Sequence, residues 1–144
     1  MSEHCRLNHL NLPVLDLERS LDFYVRKLGF EYVRHLHERK VILSFWGFDF
    51  FLEQFVSNVA NPRFHFGVHT TTQGVHDFAA VIERAGISQV VGPQPTGEAA
   101  IYVTPDGLRT VFYFDDPDGH IIEIYSHIGD DVGYVKPGFW SRSA

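Results

Sequence analysis

The chain has 144 residues, 44% of them hydrophobic, a net charge of −6 and a single cysteine. The apolar share at this length supports one packed domain, or two small halves, and excludes a disordered chain. An acidic balance without a run of Lys and Arg excludes nucleic acid and anionic membrane as main partners, since both require clustered positive charge. Cys5 has no intrachain partner, which excludes a disulfide framework.

No apolar stretch approaches the roughly 18 residues of a membrane span. The opening residues lack the basic-then-apolar layout of a signal peptide, so a cytoplasmic protein is expected. Residues 7 to 15 alternate, with Leu10, Leu12 and Val14 on one face and His9, Asn11 and Pro13 on the other, as in a half-buried strand. Asp16 is the expected N-cap of a helix carrying Leu17, Leu21, Tyr24, Val25 and Leu28 at helical spacing and closing at Gly29. Three strands are predicted at about 30–37, 40–47 and 49–56, giving βαβββ over residues 7–56.

Turn chemistry at 57–63 marks a boundary, and the pattern then repeats. Phe64 to Thr70 reads as a strand with His65, Gly67 and His69 on one face, followed by a helix from about 73 to 85 that closes at Gly86. Strands near 88–93, 110–116 and 120–126 complete a second βαβββ over 64–127, with 96–108 open between a loop and an extra strand. Element order, opening histidine and closing glycine all recur, so the chain is read as a duplication. The segment 128–144 has no periodicity, and its Phe139-Trp140 is expected to fold over the rest of the protein or over a partner subunit.

His9 and His65 stand on the first strands of the two halves, Glu53 and Glu123 on the last. Under a pseudo-twofold these four would meet on one concave surface. Imidazole and carboxylate together suit a divalent ion such as Zn, Mn, Fe or Ni, with positions left open for substrate. Glu123 interrupts Ile121-Ile122-Glu123-Ile124-Tyr125, where an uncompensated carboxylate is costly to bury. A lone strand histidine is more often a core or surface residue than a ligand; the matched placement is what favours a metal centre.

The stretches His9-Leu10-Asn11-Leu12-Pro13-Val14-Leu15-Asp16, continuing to Phe23-Tyr24 and Leu28-Gly29-Phe30, and Tyr113-Phe114-Asp115-Asp116-Pro117-Asp118-Gly119-His120-Ile121-Ile122-Glu123 resemble the vicinal oxygen chelate superfamily. The resemblance covers about residues 7 to 127. It implies an α+β fold of paired βαβββ modules in a cupped mixed sheet with helices outside, a divalent metal, a small-molecule substrate and often a homodimer. It also implies His9, His65 and Glu123 as ligands, Glu53 as the fourth ligand that glyoxalase I uses and as a base, and Tyr113 as a residue acting on substrate.

The reaction class stays divided between glyoxalase-like lyase or isomerase chemistry and dioxygenase chemistry. The histidine that extradiol dioxygenases place before the Tyr113 position is absent from 104–106, which hold Thr, Pro and Asp. A fosfomycin-resistance-like transferase is an alternative, though its Thr, Lys and Ser correspond to Asn11, Val103 and Gly107. A metal-free binding protein of the bleomycin-resistance type is the other alternative, suggested by Phe45, Trp46, Phe48, Phe50, Phe51, Phe55 and Phe112. Tyr125 and Arg109 are further substrate contacts to consider, and His69 a residue behind the ligands. His120 is expected to point away from them.

Overall fold

The alternating segment at the start of the chain forms β1 (His9–Val14) because its inner positions Leu12 and Val14 are fully buried while His9 and Asn11 stay exposed. The computed structural model describes residues 7–45, 48–55, 62–90, 101–127 and 129. The chain divides into two units, Met1–Pro62 and Arg63–Ala144. The expectations for Cys5, for most of the 57–63 boundary and for the 128–144 tail lie outside the described residues, Gly129 apart, as do Trp46, Gly47 and residues 91–100.

In the first unit Asp16 caps α1 (Leu17–Leu21), its Oδ1 accepting from the Arg19 N–H at 3.0 Å. The helix does not run on regularly to Leu28: residues Asp22–Lys27 form a π-helical turn, with the Leu28 N–H donating to the Phe23 carbonyl at 3.0 Å. The wider turn rotates the apolar stripe. Phe23 joins Leu17, Tyr24 and Leu28 in the core, and the expected Val25 is displaced from it. Strands β2 (Glu31–His37), β3 (Lys40–Phe45) and β4 (Phe48–Gln54) complete a four-stranded sheet in the order β1-β4-β3-β2, with β1 parallel to β4 and the other pairs antiparallel. Tyr24, Phe30, Phe45 and Phe50 pack ring to ring beneath it.

The second unit repeats this plan. Strand β5 (His65–His69) leads into α2 (Thr72–Arg84), capped by the Thr71 hydroxyl, which accepts from the Gly74 N–H at 3.0 Å. Strands β6 (Gln89–Val90), β8 (Arg109–Asp115) and β9 (Ile121–His127) give the order β5-β9-β8-β6, with β5 parallel to β9. The segment left open in the sequence contributes a short strand, β7 (Tyr102–Val103), paired with β8. Helix α2 packs on β8 and β9, where Phe78, Ile82, Phe112, Phe114, Ile122 and Ile124 are almost wholly buried. Each such side chain contributes about 1.5–3 kcal/mol by leaving water. The paired βαβββ order makes this an α+β fold, as expected, and in the second unit it leaves His65 and Glu123 on the sheet face turned away from the helix.

Candidate metal centre

The second unit brings two of the expected ligands together. Register along the parallel pair sets His65 opposite Ile121 and Gly67 opposite Glu123, so His65 and Glu123 are diagonal neighbours on one face. His65 Nε2 lies 3.1 Å from Glu123 Oε2, with the two side chains 46% and 16% exposed, so the pair is reachable from solvent. Gly67, opposite Glu123, lets the Tyr125 ring lie close on the strand: a methyl there would meet that ring at 3.1 Å. Imidazole nitrogen and carboxylate oxygen each bind a divalent ion at about 2.0–2.2 Å, which sets adjacent donors roughly 3 Å apart. The observed separation fits that requirement, and equally fits a direct hydrogen bond.

The β-turn before β9 aims this pair. Gly119 takes a φ of 81°, a conformation side chains disfavour, and a Cβ there would also press on the Arg63 guanidinium at 3.1 Å. Asp116 Oδ1 accepts from the Asp118 and His120 N–H groups at 2.9 and 2.8 Å. His120, fully buried, accepts from the Phe64 N–H through Nδ1 at 3.0 Å, while the Ile121 N–H donates to the Phe64 carbonyl at 2.8 Å. One imidazole thus locks the beginnings of β5 and β9 side by side, bonding one residue before His65 from a position three before Glu123. It points away from the ligand face, as expected, yet it positions both groups.

Tyr113 sits opposite Glu123 in the β8–β9 ladder, with its ring edge against His65 at a centroid distance of 5.9 Å. Burial, then a hydrogen bond with Tyr102, then the negative charge of Glu123 push its phenol well above the ordinary tyrosine range. It stays protonated at any physiological pH, which suits a hydrogen-bond donor and not a base.

The first unit treats its residues differently. His9 stands opposite Asp49, its Nδ1 bonded to Asn8 Oδ1 at 3.0 Å and its ring against Phe51 at 5.4 Å. With Nδ1 so engaged, Nε2 is the nitrogen left to meet a ligand. By the register that relates His65 to Glu123, the position matching Glu123 is Phe51, opposite Asn11; Glu53, opposite Pro13, matches Tyr125. The equivalence of Glu53 and Glu123 expected from their strands therefore fails by two residues, because the period of a strand fixes the face but not the rung.

Glu53 Oε2 is held by Lys40 Nζ and Asn11 Nδ2, each at 2.9 Å, and these bonds keep its carboxyl below the usual range. Lys40 also lies 5.5 Å from the Phe51 ring centroid. An anion bound by an ammonium group is a poor base. Among the described residues no three His, Cys, Asp or Glu side chains gather as a complete metal cage.

Residues 6–124 match the family model of the Glyoxalase/Bleomycin resistance protein/Dioxygenase superfamily. The chain belongs to that superfamily. Virulence protein STM3117 of Salmonella typhimurium strain LT2 is 31% identical over 130 residues, covering 85% of each chain. Lactoylglutathione lyase of Agrobacterium tumefaciens shares the fold at a TM-score of 0.68 and 18% identity, covering 92% of this chain and 100% of that one. Oxidase ChaP-H2 does so at 0.68 and 22%, covering 86% and 94%. The superfamily joins lyases, oxygenases and binding proteins on one fold, so the reaction has to be argued from the side chains.

Sequence reasoning overlooked Lys40, Asn8 and Tyr102, the bond from Asn11 to Glu53, and the structural roles of Gly67 and His120. Counting rungs between the paired strands is the signal that finds Lys40 beside Glu53, but it requires knowing which strands pair.

Proposed function

We propose that this chain is a divalent-metal-dependent enzyme acting on a small molecule with two adjacent oxygens, with His9, His65 and Glu123 as the protein ligands and chemistry of the dioxygenase kind. The observation that carries the reading is the solvent-reachable His65–Glu123 contact at 3.1 Å, with the two strands fixed from behind by His120. Two imidazoles and one carboxylate form the set associated with oxygen-using iron enzymes. A four-ligand, glyoxalase-like centre with Glu53 as fourth ligand and base has less support, because Lys40 and Asn11 already occupy that carboxylate. Nickel, zinc and manganese share the same donor chemistry.

A bound divalent ion would supply Lewis acidity for the deprotonated form of a chelating substrate. His65 and Glu123 orient that end of the substrate, while the Tyr113 phenol, kept neutral, donates a hydrogen bond toward its oxygens. A homodimer in the cytoplasm is the setting supported by the family resemblance and the sparse cysteine content.

Metal analysis of protein purified without chelator, followed by assays of catechols under oxygen and of 2-oxoaldehydes, tests the proposal. Bound metal that is lost in His65→Ala, together with oxygen uptake on a catechol, is the expected result. Unchanged metal affinity in that variant would overturn it. The second reading is a metal-free binding protein, favoured by the same 3.1 Å contact as a plain hydrogen bond. The transferase reading is weakest: Val103 and Gly107 sit in the β7–β8 hairpin and bring no ammonium or hydroxyl group to a phosphonate.

A further inference from the structure

The face that carries His65 and Glu123 has a second polar end. Continuing along β9 in steps of two from Glu123 come Tyr125 and His127; along β5 from Gly67 comes His69; and on β8 Arg109 stands opposite His127. The His69 ring lies 5.1 Å from Tyr125 and 5.3 Å from His127, and Tyr125 lies 5.8 Å from His127, centroid to centroid. His69 and His127 are exposed and Arg109 half-buried. By alternation all four share the face of the chelating pair. Four residues at the strand rise separate His127 from Glu123 by about 13 Å. Between the two ends the Tyr125 ring lies against the bare backbone of Gly67, forming a flat aromatic floor.

Two imidazoles and a guanidinium grouped at one end offer several N–H donors and a permanent positive charge, the chemistry that holds a carboxylate. The nearby Asp106 is tied to the Thr104 hydroxyl and the Leu108 N–H of the hairpin turn and also feels the Arg109 charge, so a bound carboxylate shares the guanidinium with it.

We infer that Arg109, His69 and His127 bind the anionic end of an elongated substrate whose two adjacent oxygens lie at His65 and Glu123, with a planar body resting on Tyr125. This rests on the function proposed above and narrows its substrate class to anionic-tailed compounds. Catechol itself, with no tail, would reach only one end.

Calorimetric titration of the metal-replete protein with 3,4-dihydroxycinnamate, its methyl ester and plain cinnamate tests the inference. The acid should bind about tenfold more tightly than the ester, and Arg109→Gln and His127→Gln should each shrink that gap while leaving metal affinity unchanged. Equal binding of acid and ester in the wild type, or a gap that survives in both variants, overturns the inference while leaving a metal-dependent function standing. Cinnamate, which cannot chelate, separates the two ideas. Its binding to metal-free protein, lost in Arg109→Gln, upholds the anionic end even if no metal is ever found, and binding indifferent to that substitution refutes it.

Discussion

The two βαβββ units share strand order and pairing sense yet equip the corresponding faces for different work. Rung for rung, the positions of His65, Gly67, Glu123, Tyr113 and Tyr125 are filled in the first unit by His9, Asn11, Phe51, Ile42 and Glu53. Only the histidine is kept. The second unit joins its imidazole to a carboxylate across a glycine; the first sets an aromatic ring beside its imidazole and turns its carboxylate toward a lysine. Duplication therefore preserved the frame and the opening imidazole of each unit while changing the groups set beside it. The lesson is that a repeat guarantees equivalent backbone positions and says nothing about equivalent chemistry.

That asymmetry can be broken most strongly by removing the carboxylate. Glu123→Ala is expected to weaken divalent-ion affinity by at least about 100-fold, read by competition titration, with little change in the melting temperature of the metal-free protein. His120→Ala should destabilise the second unit by about 2–3 kcal/mol, since a buried ring is lost and the Phe64 N–H is orphaned; denaturant melts of wild type and variant check this. The smallest effect is expected from Glu53→Gln, which removes a part-exposed ion pair worth less than about 1 kcal/mol and should leave metal affinity within about twofold. A large loss of metal in that last variant would instead return Glu53 to the ligand set.

Much of this architecture was legible in the sequence because alternation and helical spacing report which side of an element is apolar. The Asp16 cap, the second helix and the face shared by His65 and Glu123 followed from that periodicity, and the superfamily from the motifs around His9 and Glu123. Two kinds of feature escaped it. The π-helical turn at Asp22–Lys27 adds a residue to a helix whose sequence shows no break, and it is revealed by the Leu28 N–H reaching back five residues to the Phe23 carbonyl. The mismatch of Glu53 with Glu123 is a matter of strand register, and a displacement by two residues leaves every inward and outward position unchanged.

The buried imidazole behind β5 and β9 has a consequence for selectivity. Because His120 and the neighbouring turn hold the two strands at their beginnings, the spacing of the proposed donors is set before any cation arrives. At the proposed centre a small ion would find that gap ready-made, whereas calcium, which prefers oxygen atoms at about 2.3–2.6 Å and more of them, would have to pry the pair apart. Discrimination by radius would then originate in a side chain that never touches the ion.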